Sequence, residues 1–351
     1  MHKLLAGVTI LEHELSALRL LVERQTGILL DCPNSALAAH IADYLERTEL
    51  ESPAALLARF RSAELEPCEM AGFLDGIMNV STGFFRHPGA MTALGRQVLP
   101  QVLARKVSEG PATLRIWSAG CGSGEEPYSI AMTVCEAMGS SNGNSANGSG
   151  NNGSKDAKTA VRNGGICENS APANNNGFNK ECSIHIVGTD LLRSAIQVAE
   201  RGVYPHSAVM GLPPATIRAC FSKIGPNASD GAQDGNGNRT NAAAANGNGS
   251  AYLLVKPRLR SLVTFNTMNL TKPVYIGRFD CIFCMDVLPH LSRTQRSALM
   301  ERLHLYLEPG GYLFLSQTEK LCAPNLNFRS ETYDGYTFYR KPLAAAAAYG
   351  R

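Results

Sequence analysis

Between Leu114 and Met132 an apolar run ends in three glycines at alternate positions, Gly120, Gly122 and Gly124. Two carboxylates, Glu125 and Glu126, follow at once, and a helix is expected from Pro127. Glycines suit a place where the chain turns sharply and its backbone must come close to a ligand. Nucleotide enzymes use a similar turn, but with G-x-G-x-x-G and a pyrophosphate at the helix start. Two acidic side chains there compete with a phosphate. They suit a ligand carrying positive charge, an amino group or a sulfonium, or they simply complement the helix dipole. A second acid, Asp190, closes the segment Gly188-Thr189-Asp190 at the end of an expected strand. That is where such folds hold ribose hydroxyls, and equally where an Asp caps the next helix. Upstream lie Thr82 and Phe84-Phe85-Arg86. The aromatics read as packing between domains, and Arg86 by itself as a solvated charge.

These residues need a frame. Expected strands are Leu114–Ser118, Ile184–Thr189, Leu262–Thr267, Asp280–Met285, Gly311–Gln317 and Gly335–Arg340. Helical patterns fall at Pro127–Met138, Leu192–Arg201 and Arg293–Leu307, the last opened by a capping box at Ser292-x-x-Gln295. Strands alternating with helices argue for a doubly wound α/β sheet, mostly parallel with one antiparallel strand near the C-terminus. The first 79 residues read as helices only. Leu11, Leu15, Leu18 and Val22 share a face before a stop at Gly27, and Ser52-Pro53 caps a later helix. This gives two domains, a helical one over 1–85 and an α/β one over 86–351. Stretches 139–180 and 225–250 are rich in Asn, Gly and Ser and are expected to be disordered inserts.

Composition narrows the classes. The 351 residues are 44% hydrophobic with a formal net charge of +3 and no basic block, which argues against a nucleic-acid partner. No signal peptide and no membrane-spanning run is read, so a reduced cytoplasmic protein is expected. Ten cysteines are scattered along the chain. Cys281 and Cys284 form a C-x-x-C on an expected strand without a second pair, so buried thiols are expected and no metal site.

Together the segments resemble the CheR family, which methylates glutamate side chains of bacterial chemoreceptors. The resemblance rests on Trp117–Met132 (WSAGCGSGEEPYSIAM), on Thr82 with Phe84-Phe85-Arg86, on Asp190, on Asn269-Leu270 and on Gly310–Glu319 (GGYLFLSQTE). It implies a Rossmann-like methyltransferase sheet with a helical N-terminal domain and a small β-subdomain between about Ala208 and Val255. It also implies S-adenosylmethionine as cofactor, S-adenosylhomocysteine as product, and a methyl-accepting chemoreceptor or other signalling protein as partner. By the same resemblance, Thr82, Arg86, Gly120, Gly122, Glu125, Glu126, Asp190, Asn269, Leu270 and Asp286 line the cofactor site. Arg86 holds the acceptor carboxylate, and His290 stands where the family has an active-site Tyr.

The chain also departs from the family pattern. Met285 replaces an Arg, Asp286 an Asn, and His290 the Tyr; Val80 stands where many members have Asn, and Ser316 where they have Gly. If they face the site, the first two changes make that corner about two charges more negative. An acid there is expected to repel a substrate carboxylate, or else to contact the cofactor, where extra negative charge is harmless. His290 either replaces the Tyr as a hydrogen-bond donor or caps the helix after Ser292. Two functions remain open: an active glutamate methyltransferase, or an impaired CheR-like domain that binds the cofactor as a signalling or scaffold module.

Overall fold

The computed structural model describes residues 10–62, 67–78, 82–109, 112–141, 182–224, 252–274, 276–321 and 325–343. Nearly all of both Asn/Gly/Ser-rich inserts, and Val80, lie outside them.

Four helices come first: α1 (Glu12–Thr26), α2 (Asn34–Thr48), α3 (Pro53–Arg61) and α4 (Pro67–Asp75). Gly27 ends α1 in a left-handed conformation (φ 75°), its N–H donating to the Glu23 carbonyl, because glycine adopts that region without steric cost. Ser52 caps α3, its hydroxyl accepting from the Ala55 N–H at 3.2 Å. Their apolar faces meet around Phe60 and Phe73, whose rings pack edge to face at 5.3 Å.

Helix α5 (Pro88–Ala93) runs through a π-helical turn at Leu94–Val98 into α6 (Leu99–Glu109). The α/β part follows: β1 (Ala112–Ala119), α7 (Glu125–Ser141), β2 (Cys182–Asp190), α8 (Arg193–Arg201), β3 (Val203–Pro205), α9 (Pro214–Cys220), β4 (Phe221–Ile224), β5 (Tyr252–Val255), α10 (Pro257–Arg260), β6 (Val263–Thr267), β7 (Phe279–Phe283), α11 (Arg293–Tyr306), β8 (Leu307–Phe314), β9 (Arg329–Tyr333) and β10 (Tyr336–Arg340). Seven strands form one sheet in the order β6-β2-β1-β7-β8-β10-β9. The pairs from β6 to β8 are parallel, and β10 alone runs against the rest. Central strands buried on both faces need near-continuous apolar residues, and β7 (FDCIF) is buried throughout.

Strand order reverses between β1 and β7. Chain order runs outward through β2 and β6 on one side and through β8 on the other. Such a switch point opens a crevice beyond the carboxyl ends of the strands. One strand was not expected: β9, a polar edge strand joined to β10 by a two-residue turn at Asp334-Gly335, both with positive φ.

A separate three-stranded antiparallel sheet, β3-β5-β4, forms the small β-subdomain. It begins at Val203, somewhat before the expected Ala208. Phe84 seats on it, edge to face with Tyr204 at 5.0 Å and Phe221 at 5.3 Å.

The helical region docks on the sheet through one continuous apolar core that joins Leu18, Phe60 and Phe73 to Trp117, Leu299 and Leu303. Polar ties fix the contact. The Thr26 carbonyl accepts from Thr271 Oγ1 (2.7 Å) and Asn269 Nδ2 (3.2 Å), and the Leu29 N–H donates to the His290 carbonyl (2.8 Å). Cys281 and Cys284 are fully buried, unpaired thiols, and burial holds both well above the usual thiol range.

Candidate active site

At the switch point lies a cavity of about 370 Å³, within the range that holds a small organic ligand. Its walls come from the 82–91 segment, the β1–α7 turn, the ends of β2, β6 and β7, and Ile28 and Met78 of the helical region. Thr82, Arg86, Gly120, Gly122, Glu126, Asp190, Asn269, Leu270, Asp286 and His290 all line it. Glu125 does not.

The glycine turn leaves β1 with positive φ at Gly120 (85°), Gly122 (55°) and Gly124 (96°). Sequence reasoning assigned these glycines to ligand approach. Two of them also answer to packing: a Cβ at Gly120 would collide with Val287, and one at Gly124 with Ala199 of α8. Asp190 secures the turn from β2. Its Oδ2 accepts from the Gly122 N–H and its Oδ1 from the Leu192 N–H, both at 2.9 Å. Asp190 therefore ties down the start of α8 while facing the cavity. Burial pushes its carboxyl up, against the pull of the Leu192, Gly122 and Leu191 N–H groups.

The two glutamates separate. Glu125 is buried and takes the Ser123 hydroxyl at 2.8 Å, with Thr82 also bonding it. Burial raises it above the usual carboxylate range. Glu126 faces the cavity and accepts from Ser118 Oγ at 2.6 Å. Burial, aided by the Asp286 and Glu319 charges, pushes it up to about 7. A carboxyl so desolvated is stabilised in its charged form by an incoming cation.

Asn269 serves the scaffold as well as the cavity: its Oδ1 accepts from the Thr271 N–H and hydroxyl, both at 2.9 Å, while Nδ2 reaches α1. The Leu270 carbonyl accepts from Arg302 at 2.6 Å. His290 is exposed, in a 3-10 turn at Leu288–His290, and the cap of α11 is Ser292, whose hydroxyl accepts from the Gln295 N–H at 3.5 Å. His290 therefore does not cap that helix.

Met285 and Asp286 both line the cavity, the condition on which the charge expectation for this corner rests. Asp286 does not stand as a lone negative group: its Oδ2 lies 3.1 Å from Arg86 Nε and 2.9 Å from His87 Nε2. Its charge is compensated, and Arg86 is engaged. Asp286 has φ 58°, as Phe85 has φ 53°, a region non-glycine residues seldom occupy. Glu319 fixes this turn, accepting from the N–H groups of Asp286 (3.0 Å), Leu288 (2.9 Å) and Ser316 (3.0 Å). Met285 is buried beside it. His87 and the role of Glu319 escaped sequence reasoning; the signal for His87 was its place directly after Phe84-Phe85-Arg86.

The chemistry of this donor set fits S-adenosylmethionine. Three carboxylates line the cavity; with Asp286 paired to Arg86, Glu126 and Asp190 are left for an amino group, a sulfonium and ribose hydroxyls, and Ile28, Met268, Leu270 and Leu291 supply apolar walls. Residues 80–147 and 240–336 match the family model described as CheR methyltransferase, SAM binding domain. The chain is 27% identical to chemotaxis protein methyltransferase 1 of Pseudomonas aeruginosa over 327 residues, 89% of this chain and 96% of that protein. It is also 27% identical to the chemotaxis protein methyltransferase of Vibrio parahaemolyticus over 322 residues, 91% of this chain and 93% of that one. Among the described residues no helix is long and apolar enough to cross a membrane.

Proposed function

The chain belongs to the CheR methyltransferase family, and from that premise we propose that it methylates glutamate side chains of a chemoreceptor or related signalling protein. It is a methyltransferase that uses S-adenosylmethionine, and its reaction belongs to chemotaxis. The glutamate acceptor, the site assignments, the cytoplasmic location and the division into residues 1–85 and 86–351 are parts of this reading.

When bound, S-adenosylmethionine supplies a methyl carbon on a sulfonium that departs as a neutral thioether. Glu126 and Asp190 would hold its cationic and ribose parts, with the Gly120–Gly122 backbone beneath. A glutamate has a reference pKa of about 4.3, so the acceptor arrives ionised and no general base is required of the protein. What remains is orientation and the exclusion of water. Arg86 is the cation suited to orient a carboxylate by charge-assisted hydrogen bonds. Phe85, Met285 and Leu291 add apolar lining to the cavity.

The observation that carries this reading is that Arg86, Glu126 and Asp190 line one cavity at the switch point. Calorimetric titration with S-adenosylmethionine and S-adenosylhomocysteine tests the cofactor half. Alkali-labile methyl incorporation into receptor-bearing membranes tests the acceptor, because a glutamyl methyl ester releases methanol in base. Cofactor binding without any such ester would leave a cofactor-holding module instead.

A further inference from the structure

Arg86 already holds a carboxylate. Asp286 Oδ2 sits 3.1 Å from its Nε and 2.9 Å from His87 Nε2, and all three residues line the cavity. The contact is anchored by the backbone. Asp286 stands in a left-handed conformation (φ 58°), and Glu319 accepts from its N–H at 3.0 Å and from the Leu288 N–H at 2.9 Å. The turn therefore presents this side chain toward Arg86 and His87. Yet the pair is open to water, with side chains 40% and 36% exposed, so it is weak enough to exchange.

We propose that Asp286 is a resident carboxylate ligand of Arg86 that an acceptor carboxylate must displace, which makes Asp286 a determinant of acceptor affinity. The proposal rests on a glutamate being the acceptor. The two carboxylates are chemically equivalent toward a guanidinium, so they compete for the same N–H donors. Asp286 keeps Arg86 in place while no acceptor is present, and an acceptor succeeds only if its other contacts outweigh the exchange. His87 Nε2, 2.9 Å from Asp286 Oδ2, leaves the displaced acid a hydrogen-bond partner. Asp286 is here a positioning residue and takes no part in bond making.

The test uses the full chain saturated with S-adenosylhomocysteine and glutarate as the probe, since glutarate carries the terminal carboxylate of a glutamate side chain. Binding is read by NMR on side-chain Nε–H signals of arginine-labelled protein. Asp286→Asn is the variant of choice because asparagine tolerates positive φ and keeps the N–H that Glu319 accepts. The expected result is glutarate binding tighter in Asp286→Asn on the order of fivefold, the worth of a partly exposed ion pair. The gain should vanish when Arg86→Gln is added. Equal affinity in wild type and Asp286→Asn, including no detectable binding in either, overturns the proposal. So does a gain that survives Arg86→Gln. Methyl-ester formation is scored separately: its failure sinks the glutamate reading, whereas an unchanged glutarate affinity sinks only the displacement of Asp286.

Discussion

Asp190 Oδ2 accepts a hydrogen bond from the Gly122 N–H at 2.9 Å, across the gap between β2 and the turn that follows β1. With the second bond to the Leu192 N–H, one carboxylate ties the glycine turn to the start of α8. Removing it leaves two backbone donors without their partner, each costing about 1–3 kcal/mol if water cannot reach it. Asp190→Ala is therefore expected to lower thermal stability as well as S-adenosylhomocysteine affinity. Asp190→Asn, which keeps one acceptor, should fall between. A variant that loses affinity with an unchanged melting temperature would show that the turn does not depend on Asp190.

Glu319 gathers three N–H donors, from Asp286, Leu288 and Ser316, and so joins the end of β8 to the loop after β7. Gln has a single acceptor oxygen, and its amide would meet an N–H with an N–H. Glu319→Gln is expected to cost about 1–3 kcal/mol by this lost satisfaction. Because the loop carries Asp286 and His290, cofactor affinity should drop with it. Chemical denaturation together with calorimetry checks both, and wild-type values in each would remove Glu319 from the frame of the site.

The parts of this molecule written in apolar periodicity were legible in its sequence. The large-sheet strands β1, β2, β6, β7 and β8 were read to within a few residues, most clearly where burial on both faces demands an apolar run, as in β7. The edge strand β9 (RSETY) has no such run. The readable signal was the Asp334-Gly335 turn, which dictates a tight hairpin through its two positive φ angles. At the site, residue type identified Glu126 and Asp190 as candidates and the family resemblance added Arg86, but neither told the direction each side chain faces. Adjacent glutamates point different ways on a helix, so Glu125 turned inward toward Ser123 while Glu126 met the cavity. The pairing of Arg86 with Asp286 joins residues 200 positions apart in sequence and had no local signature.

Arg86→Ala removes the cation assigned to the acceptor and leaves Glu126 and Asp190, assigned to the cofactor's cationic and ribose parts, in place. S-adenosylhomocysteine affinity should stay within a few-fold of wild type. Methyl-ester formation should fall on the order of a hundredfold, the scale of a misplaced reacting group. Arg86→Lys should recover little, since an ammonium offers no planar fork. Turnover that survives Arg86→Ala would mean that another group positions the acceptor.

Glu126 gives a pH signature with a definite sign. Burial is the first cause that lifts it from 4.5 to about 7, and the Asp286 and Glu319 charges add to the lift. The folded protein thus keeps this proton over a range where the unfolded chain has lost it. Its penalty on stability is absent below the unfolded pKa, grows as pH rises from about 4.5 to about 7, and stays constant above that, reaching about 3 kcal/mol. Glu126→Gln keeps an acceptor for Ser118 and never ionises. It should match wild type in unfolding free energy near pH 4.5 and exceed it above pH 7. A cationic ligand favours the ionised form, so wild-type affinity for S-adenosylhomocysteine, through its ammonium, should climb between pH 5.5 and 8, and the climb should flatten in Glu126→Gln. Parallel stability and affinity profiles for the two proteins would show that Glu126 is already ionised and takes no part in holding the cation.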